Sequence, residues 1–218
     1  MTRGAPAILL ACAVSASPLP AQVTRHVAAG LGATQMRLRS TAAGSGTEAL
    51  SGVAVGGGGQ LSAGLAALEA SYLQARLTAD TGTASARDLV EGSVRLVVRP
   101  TRWLALEGGP HIRAYAAPGG TERWVLWEAR ARVEGALVSR MVWTDLALWR
   151  ALAAEANVGQ GTRTAQGGEV RLTVRLPQAP VWARLSYRID QAKTGGGERV
   201  ETLEGIGVSL GVGGYVPR

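Results

Sequence analysis

The sequence has no phenylalanine, one cysteine and one lysine, and only 18% of its 218 residues are charged. An ordinary soluble domain has roughly 25% charged residues. The single cysteine, Cys12, lies in a short N-terminal apolar segment, Ala7–Ala16, which is too short to cross a membrane as a helix. A domain held together by disulfides is therefore excluded, and so is a helical membrane span formed by this segment.

The formal charge of +7 is carried almost entirely by arginine, since Lys193 is the one lysine. A basic chain can bind nucleic acid, but such proteins group their basic residues and add aromatic side chains on which bases stack. This chain has neither a basic cluster nor an aromatic platform. We therefore expect no nucleic-acid partner.

Residues 1–21 have the three parts of a secretory signal peptide. Arg3 supplies the positive region, the apolar segment follows, and residues 19–21, Leu-Pro-Ala, form a small-residue cleavage site. Residues 9–12 also resemble the lipobox of bacterial lipoproteins, but cleavage there would leave an apolar region too short for export. We expect residues 1–21 to be the signal peptide and residues 22–218 to form a single domain.

The stretch 124–135, WVLWEARARVEG, alternates between two kinds of side chain. One set is apolar (Val125, Trp127, Ala129, Ala131, Val133), and the other is mostly charged (Trp124, Leu126, Glu128, Arg130, Arg132, Glu134). A period of two predicts a β-strand whose two faces lie in different media. The same alternation recurs in several later segments of the chain.

The pattern predicts ten strands, at residues 26–40, 48–63, 65–78, 87–99, 103–116, 122–135, 142–156, 169–176, 181–192 and 200–215. Residues 137–156 could instead form a helix, because LALWRALAAEA is rich in helix formers, but the flanking hairpin rhythm favours a strand. Pro110 lies within a strand and predicts a bulge or bend. Eight strands are the alternative, if the weakly patterned first pair merges or one segment is helical.

The connections between these strands are expected to alternate in length. They look short at 63–64, 100–102, 136–141 and 177–180, and longer at 41–47, 79–86, 117–121, 157–168 and 193–199. Short turns at one end, longer loops at the other and an even number of antiparallel strands are typical of bacterial outer-membrane barrels. Everything after the signal peptide resembles the small outer-membrane β-barrel proteins as a class. This resemblance implies an all-β, antiparallel, up-and-down transmembrane barrel, with both termini in the periplasm and insertion by barrel-assembly machinery.

The two strand faces allow two interpretations. In a membrane barrel the apolar face contacts lipid, and the acids and bases of the other face pair inside a narrow lumen. In a secreted lipocalin-like barrel the same charges face water, and the interior binds a small apolar ligand. We predict the membrane barrel, with a structural network of lumenal ion pairs formed by Glu91, Arg95, Glu107, His111, Arg113, Glu128, Arg130, Arg132, Glu134, Arg171, Arg175, Arg184, Arg188 and Asp190.

No pattern in the sequence predicts a catalytic, cofactor or metal site. His111 shares a strand face with Glu107 and Arg113, and a serine such as Ser93 could lie beside it, so a Ser/His/acid hydrolase is the alternative. A histidine within an ion-pair network is the simpler interpretation. The glycine run VAVGGGGQLSAG lacks the Lys-Ser/Thr of a phosphate loop, and it favours a tightly bent strand.

We therefore predict a structural or surface-interaction barrel without enzymatic activity, and a narrow channel and a soluble ligand-binding barrel are the alternatives. Outer-membrane lipids are the expected partners. Lipid phosphates would suit the arginines expected near the long-loop end, Arg37, Arg39, Arg76, Arg87, Arg123 and Arg199. The aromatic side chains predict two interfacial belts, with Trp103, Trp143, Trp182 and Tyr215 near one end and Tyr115, Trp124 and Trp127 near the other.

Overall fold

The structure, a computed structural model, describes residues 25–44, 46–80, 85–138, 141–157, 163–176, 178–195 and 198–213. The predicted signal peptide and Tyr215 lie outside these residues. Within the described ranges, no helix is long and apolar enough to cross a membrane.

Ten β-strands make up the described chain. They are β1 (Arg25–Ala42), β2 (Gly46–Ala63), β3 (Ala66–Ala79), β4 (Arg87–Val98), β5 (Leu104–Ala117), β6 (Gly120–Val138), β7 (Val142–Ala156), β8 (Thr164–Arg175), β9 (Val181–Thr194) and β10 (Arg199–Gly213). Each strand pairs antiparallel with the next, and β1 pairs with β10 to close the barrel. The predicted ten-stranded, up-and-down barrel is confirmed. The eight-stranded alternative is wrong, because β1 and β2 form separate strands that pair along their whole length.

The segment that could have been helical forms β7. Leu146 and Leu148 are exposed on the outside, whereas Ala147 and Trp149 are buried inside. This alternation is expected for a strand whose two faces lie in different media. In a helix, four consecutive residues would point in four directions around the axis instead of to two faces. The strand prediction is confirmed, although β8 begins at Thr164, five residues before its predicted start.

The predicted bulge at Pro110 is not found in the pairing of β4 with β5. Pairing stops beside Val94 and Arg95 and then resumes in the same register, as expected where proline removes a donor from the ladder. The nearby register shift lies between β6 and β7, directly after Trp127, which is the partner of Pro110 on β6.

The five connections predicted to be long are shorter than expected, because strands continue through residues assigned to loops. Two of those predicted to be short, at 99–103 and 176–180, are slightly longer than expected. At the end called here the loop end, the connections are 43–45, 80–86, 118–119, 157–163 and 195–198. At the opposite end, called the turn end, they are 64–65, 99–103, 139–141 and 176–180. The predicted contrast in length is therefore wrong for most of them. The loop end is extended by paired strands, since β1 and β2 each have 18 residues and β6 has 19.

The character of the two barrel faces reverses along the barrel axis. In β1, Leu31 is 75% exposed on the outer face, but nearer the loop end Met36 and Leu38 are buried inside while Arg37 and Arg39 point outward. The turn-end part of the strand thus has an apolar exterior, and the loop-end part has a polar exterior with an apolar interior.

Other strands reverse at the same end. In β3, Leu68 is exposed on the outer face, whereas Leu77 is fully buried beside the outward Arg76. In β10, Leu210 is exposed and Leu203, nearer the loop end, is buried. The exterior therefore has an apolar band that begins at the turn end and stops before the loop end.

Candidate functional site

Apolar side chains fill the lumen at the loop end. They form one contiguous group, called here the apolar cluster: Met36, Leu38, Leu50, Ala54, Ala75, Leu77, Leu89, Tyr115, Trp124, Leu126, Trp149, Ala165, Ala192 and Leu203. Its polar atoms have partners, because the Tyr115 hydroxyl donates to Glu201 at 2.5 Å and Trp124 Nε1 donates to Glu122 at 3.0 Å. The sequence analysis missed this cluster. The signal lies in QMRLRS, residues 35–40, where apolar side chains move to the face that holds glycine earlier in β1.

The predicted aromatic belts are wrong for most of their members. Trp127 is 57% exposed on the outer face of β6, and Trp103, in the connection 99–103, is 56% exposed. Four others face the lumen, namely Tyr115, Trp124, Trp143 and Trp182. The strand period places them inside, because their positions share parity with the charged residues of the same strands.

At mid-height the lumen contains a group of charges around Glu91. Its carboxylate lies 2.6 Å from His111 Nε2, 2.9 Å from Arg113 and 2.5 Å from Arg188. Asp190 joins the same two arginines at 2.5 Å and 2.6 Å. These residues come from β4, β5 and β9, which are not all neighbours, so the contacts cross the interior of the barrel.

A second group of charges lies nearer the turn end. Arg132 contacts Glu107 at 2.7 Å and Glu69 at 3.0 Å, while Glu169 accepts from Arg130 at 2.9 Å and from Arg171 at 2.5 Å. Each of these carboxylates serves more than one guanidinium, as multidentate arginine pairing allows. Together the two groups are called here the ion-pair network.

All fourteen residues predicted for the network lie on the inner face. Not all of them form a pair between an acid and an arginine. Glu128 contacts His111 rather than an arginine, and Arg184 lies over the Trp182 ring with 4.7 Å between its Cζ and the ring centroid. Glu69, Glu169 and Asp145 complete the network and were absent from the predicted set. Strand parity alone places them inside, but it cannot tell which opposite strand supplies the partner.

The hydrolase alternative depended on a serine beside His111. Ser93 is its register partner across β4 and β5, but Ser93 Oγ lies 2.8 Å from Ser71 Oγ. Both ring nitrogens of His111 contact carboxylates, those of Glu91 and Glu128. Each ring nitrogen of His111 therefore faces a carboxylate, and neither is placed to take a proton from Ser93.

One side of the lumen has a wall without side chains. It is formed by inward-facing glycines of β1, β2 and β10, called here the glycine wall: Gly30, Gly32, Gly56, Gly58, Gly205, Gly207 and Gly211. A cavity of about 310 Å³ lies between this wall and the ion-pair network. A Cβ at Gly30 would lie 2.5 Å from the Trp182 ring, so the missing side chains also make room for this indole.

The described residues include no group of three or more His, Cys, Asp or Glu side chains that could hold a metal ion. Most of the lumenal carboxylates described above contact arginines instead. The prediction that the chain needs no metal or cofactor stays a prediction.

No protein-family model and no curated protein matches the chain. Among solved structures, the translocator domain of the autotransporter NalP from Neisseria meningitidis is 13% identical, with a TM-score of 0.43, over 84% of this chain and 88% of that chain. The β-domain of the Bordetella autotransporter BrkA is 14% identical, with a TM-score of 0.37, over 84% and 98%. The outer membrane protein OpdK from Pseudomonas aeruginosa is 9% identical, with a TM-score of 0.31, over 86% and 99%.

Proposed function

We propose that the chain is an outer-membrane β-barrel whose lumen is closed and whose role is structural or surface interaction. The observation that carries this proposal is the reversal of the two faces. An apolar exterior around a charged interior suits strands in lipid, and a polar exterior around an apolar interior suits strands in water. Both occur in one barrel, with the boundary at a similar height in β1, β3 and β10.

The apolar band supports the placement in lipid. Its side chains are large and individually exposed, among them Val94, Leu96, Leu106, Ile112, Leu146, Val170, Leu185, Val208 and Leu210. A soluble protein rarely exposes so large a continuous apolar surface. The lipocalin-like alternative requires the opposite arrangement at this height, with charges in water, and the inward-facing ion-pair network disfavours it. Export through residues 1–21 and location in the outer membrane are parts of the proposal.

Two kinds of packing support a closed lumen. The apolar cluster fills the loop end, and the ion-pair network crosses the interior below it. Ions cross an apolar constriction poorly because it offers no groups to replace their hydration shell. This favours a structural barrel over a narrow channel, and we propose that the chain has no catalytic role.

Wild-type protein in planar bilayers is expected to give no stepwise conductance. A variant with Trp124→Ala and Leu203→Ala, which removes two large members of the apolar cluster, tests whether that cluster contributes to the closure. Its matched control is Leu96→Ala with Leu210→Ala on the outer face. Conductance of the wild-type protein would contradict the closed lumen and support the channel. Recovery of the protein in the soluble fraction would contradict the membrane location.

The arginines of the polar exterior support lipid phosphate as a partner. Arg76 and Arg123 are exposed on the outer face beyond the apolar band. Arg37 and Arg39 are also exposed but contact Asp80 and Glu204. Arg87 and Arg199 differ from this group, because they pair with Glu48 and Glu122 respectively. Guanidinium binds phosphate through two parallel hydrogen bonds, and an outer leaflet rich in phosphate lies at this height in the proposed orientation.

Replacing Arg76 and Arg123 together by Gln is therefore expected to weaken retention of phosphorylated outer-membrane lipid during detergent purification. Phosphate analysis of the purified protein measures it. The control is Arg87→Gln, because that guanidinium already pairs with Glu48. Equal phosphate in the double variant and the wild type would contradict a role for these two residues.

A further inference from the structure

We propose that the cavity beside the glycine wall binds a small hydroxylated anion that carries a carboxylate or a phosphate, and that Arg184 is the principal residue that recognises it. This site lies within the lumen, apart from the lipid contacts proposed above. It does not depend on the membrane location of the barrel, because its residues are all internal.

The contacts of Arg184 differ from those of the other arginines in the lumen. Its described contacts are a hydrogen bond of 3.1 Å from Nε to Thr173 Oγ1 and the stacking over Trp182. Arg184 forms no ion pair with a described carboxylate. Five other arginines of the lumen each form at least one, namely Arg113, Arg130, Arg132, Arg171 and Arg188. Two terminal nitrogens of Arg184 are thus available to an anion from outside the chain.

A second donor lies beside it. The Gln60 side-chain Nε2 is buried and has no hydrogen-bond partner among the described residues. Gln60 and Arg184 line the same cavity. A buried donor without an acceptor costs free energy, and an oxyanion held by Arg184 would supply that acceptor.

The cavity also selects for size and polarity. Its volume of about 310 Å³ is at the lower end of the range for small-molecule sites. Besides the ion-pair network, its lining offers hydroxyl groups from Thr34, Ser186 and Ser209. The anion that fits is therefore compact, with hydroxyl groups of its own rather than an apolar body.

The anion has a route from the turn end. A smaller cavity of about 80 Å³ shares Gln60, Trp182 and Arg184 with the main one and also contacts Trp143 and Arg175. Trp143 and Arg175 lie at the turn-end termini of β7 and β8. The apolar cluster fills the other end, so the site is a pocket entered from one side.

Isothermal titration calorimetry of the full chain in detergent micelles, at constant ionic strength, tests the proposal. The probes are glycerol 3-phosphate, glycerate and glycerol. Saturable binding of either anion, without binding of glycerol, is the expected result, and the comparison between the two anions identifies the preferred group. Absence of saturable binding by both anions would overturn the proposal.

Variants of the cavity lining, with one control on the outer face, locate the site. Arg184→Met is expected to weaken binding about tenfold or more, since it removes a charged donor, and Ser209→Leu is expected to prevent binding by filling the cavity. Arg150→Met, exposed on the outer face of β7, is the matched control and should bind as the wild type does. Heat-modifiable gel migration checks folding, and Gln60→Leu replaces Arg184→Met if the latter fails to fold. Unchanged affinity in a folded Arg184→Met variant, or in both Ser209→Leu and Gln60→Leu, would overturn the assignment.

Discussion

Replacing either Glu91 or Arg113 by Ala is expected to lower the free energy of unfolding by about 3–5 kcal/mol, because each change leaves buried opposite charges without their partner. Glu91 lies between His111, Arg113 and Arg188. The loss should be smaller where water enters the lumen. Urea unfolding in lipid vesicles, followed by tryptophan fluorescence, measures it.

The double variant separates a direct contact from two unrelated losses. If the two side chains stabilise each other, the double variant should lose less than the sum of the single variants, with a coupling of about 0.5–3 kcal/mol. The control pair is the exposed Arg39 and the partly exposed Glu204, which are 3.9 Å apart, and its coupling should be at most about 1 kcal/mol. Additive losses at Glu91 and Arg113 would contradict an energetic role for the ion-pair network.

Val94→Arg is expected to impair assembly in the membrane, at a cost of about 2–4 kcal/mol for a charge on the lipid face near mid-height. Val94 is 45% exposed on the outer face of β4, well inside the apolar band. Val174→Arg should be impaired less, because Val174 lies one residue before the end of β8 and its charge can reach the membrane surface. Heat-modifiable gel migration and refolding yield into vesicles measure both.

Two controls distinguish a charge in lipid from a change of size or of net charge. Val94→Leu keeps the site apolar and should assemble normally. Thr78→Arg adds the same charge on the outer face of β3, nearer the loop end than the outward Arg76, and should also assemble. Normal assembly of Val94→Arg would mean that this face meets water, and the soluble barrel would then be the better interpretation.

The strands and their topology could be predicted from the sequence because each strand separates two media. In β4, the alternation of Val90 and Val94 with Glu91 and Ser93 fixes both the strand and its inner face. The same rule identified β7 despite its helix formers. It failed at strand ends, where Thr164 and its neighbours continue β8 through residues that look like a polar loop.

The interior was harder to predict, for two physical reasons. The pattern of a single strand says that Glu128 faces inward, but its contact with His111 depends on side-chain packing that local sequence does not specify. The apolar cluster was missed because the alternation in β1 changes phase between Leu31 and Met36, where the exterior changes from apolar to polar. The weak pattern of β1 therefore consists of two clear alternations, with the apolar residues on the outer face in one and on the inner face in the other.

In the proposed orientation, the reversal of the faces also determines what the barrel presents outside the membrane. At the loop end the connections are as short as residues 118–119, and the strands continue beyond the apolar band. Their backbone groups are paired around a closed ring, and a packed interior supports them. Along the described strands, a binding molecule arriving there would meet the side of a folded wall. Recognition of this surface would then depend on fixed side chains such as Arg76 and Arg123.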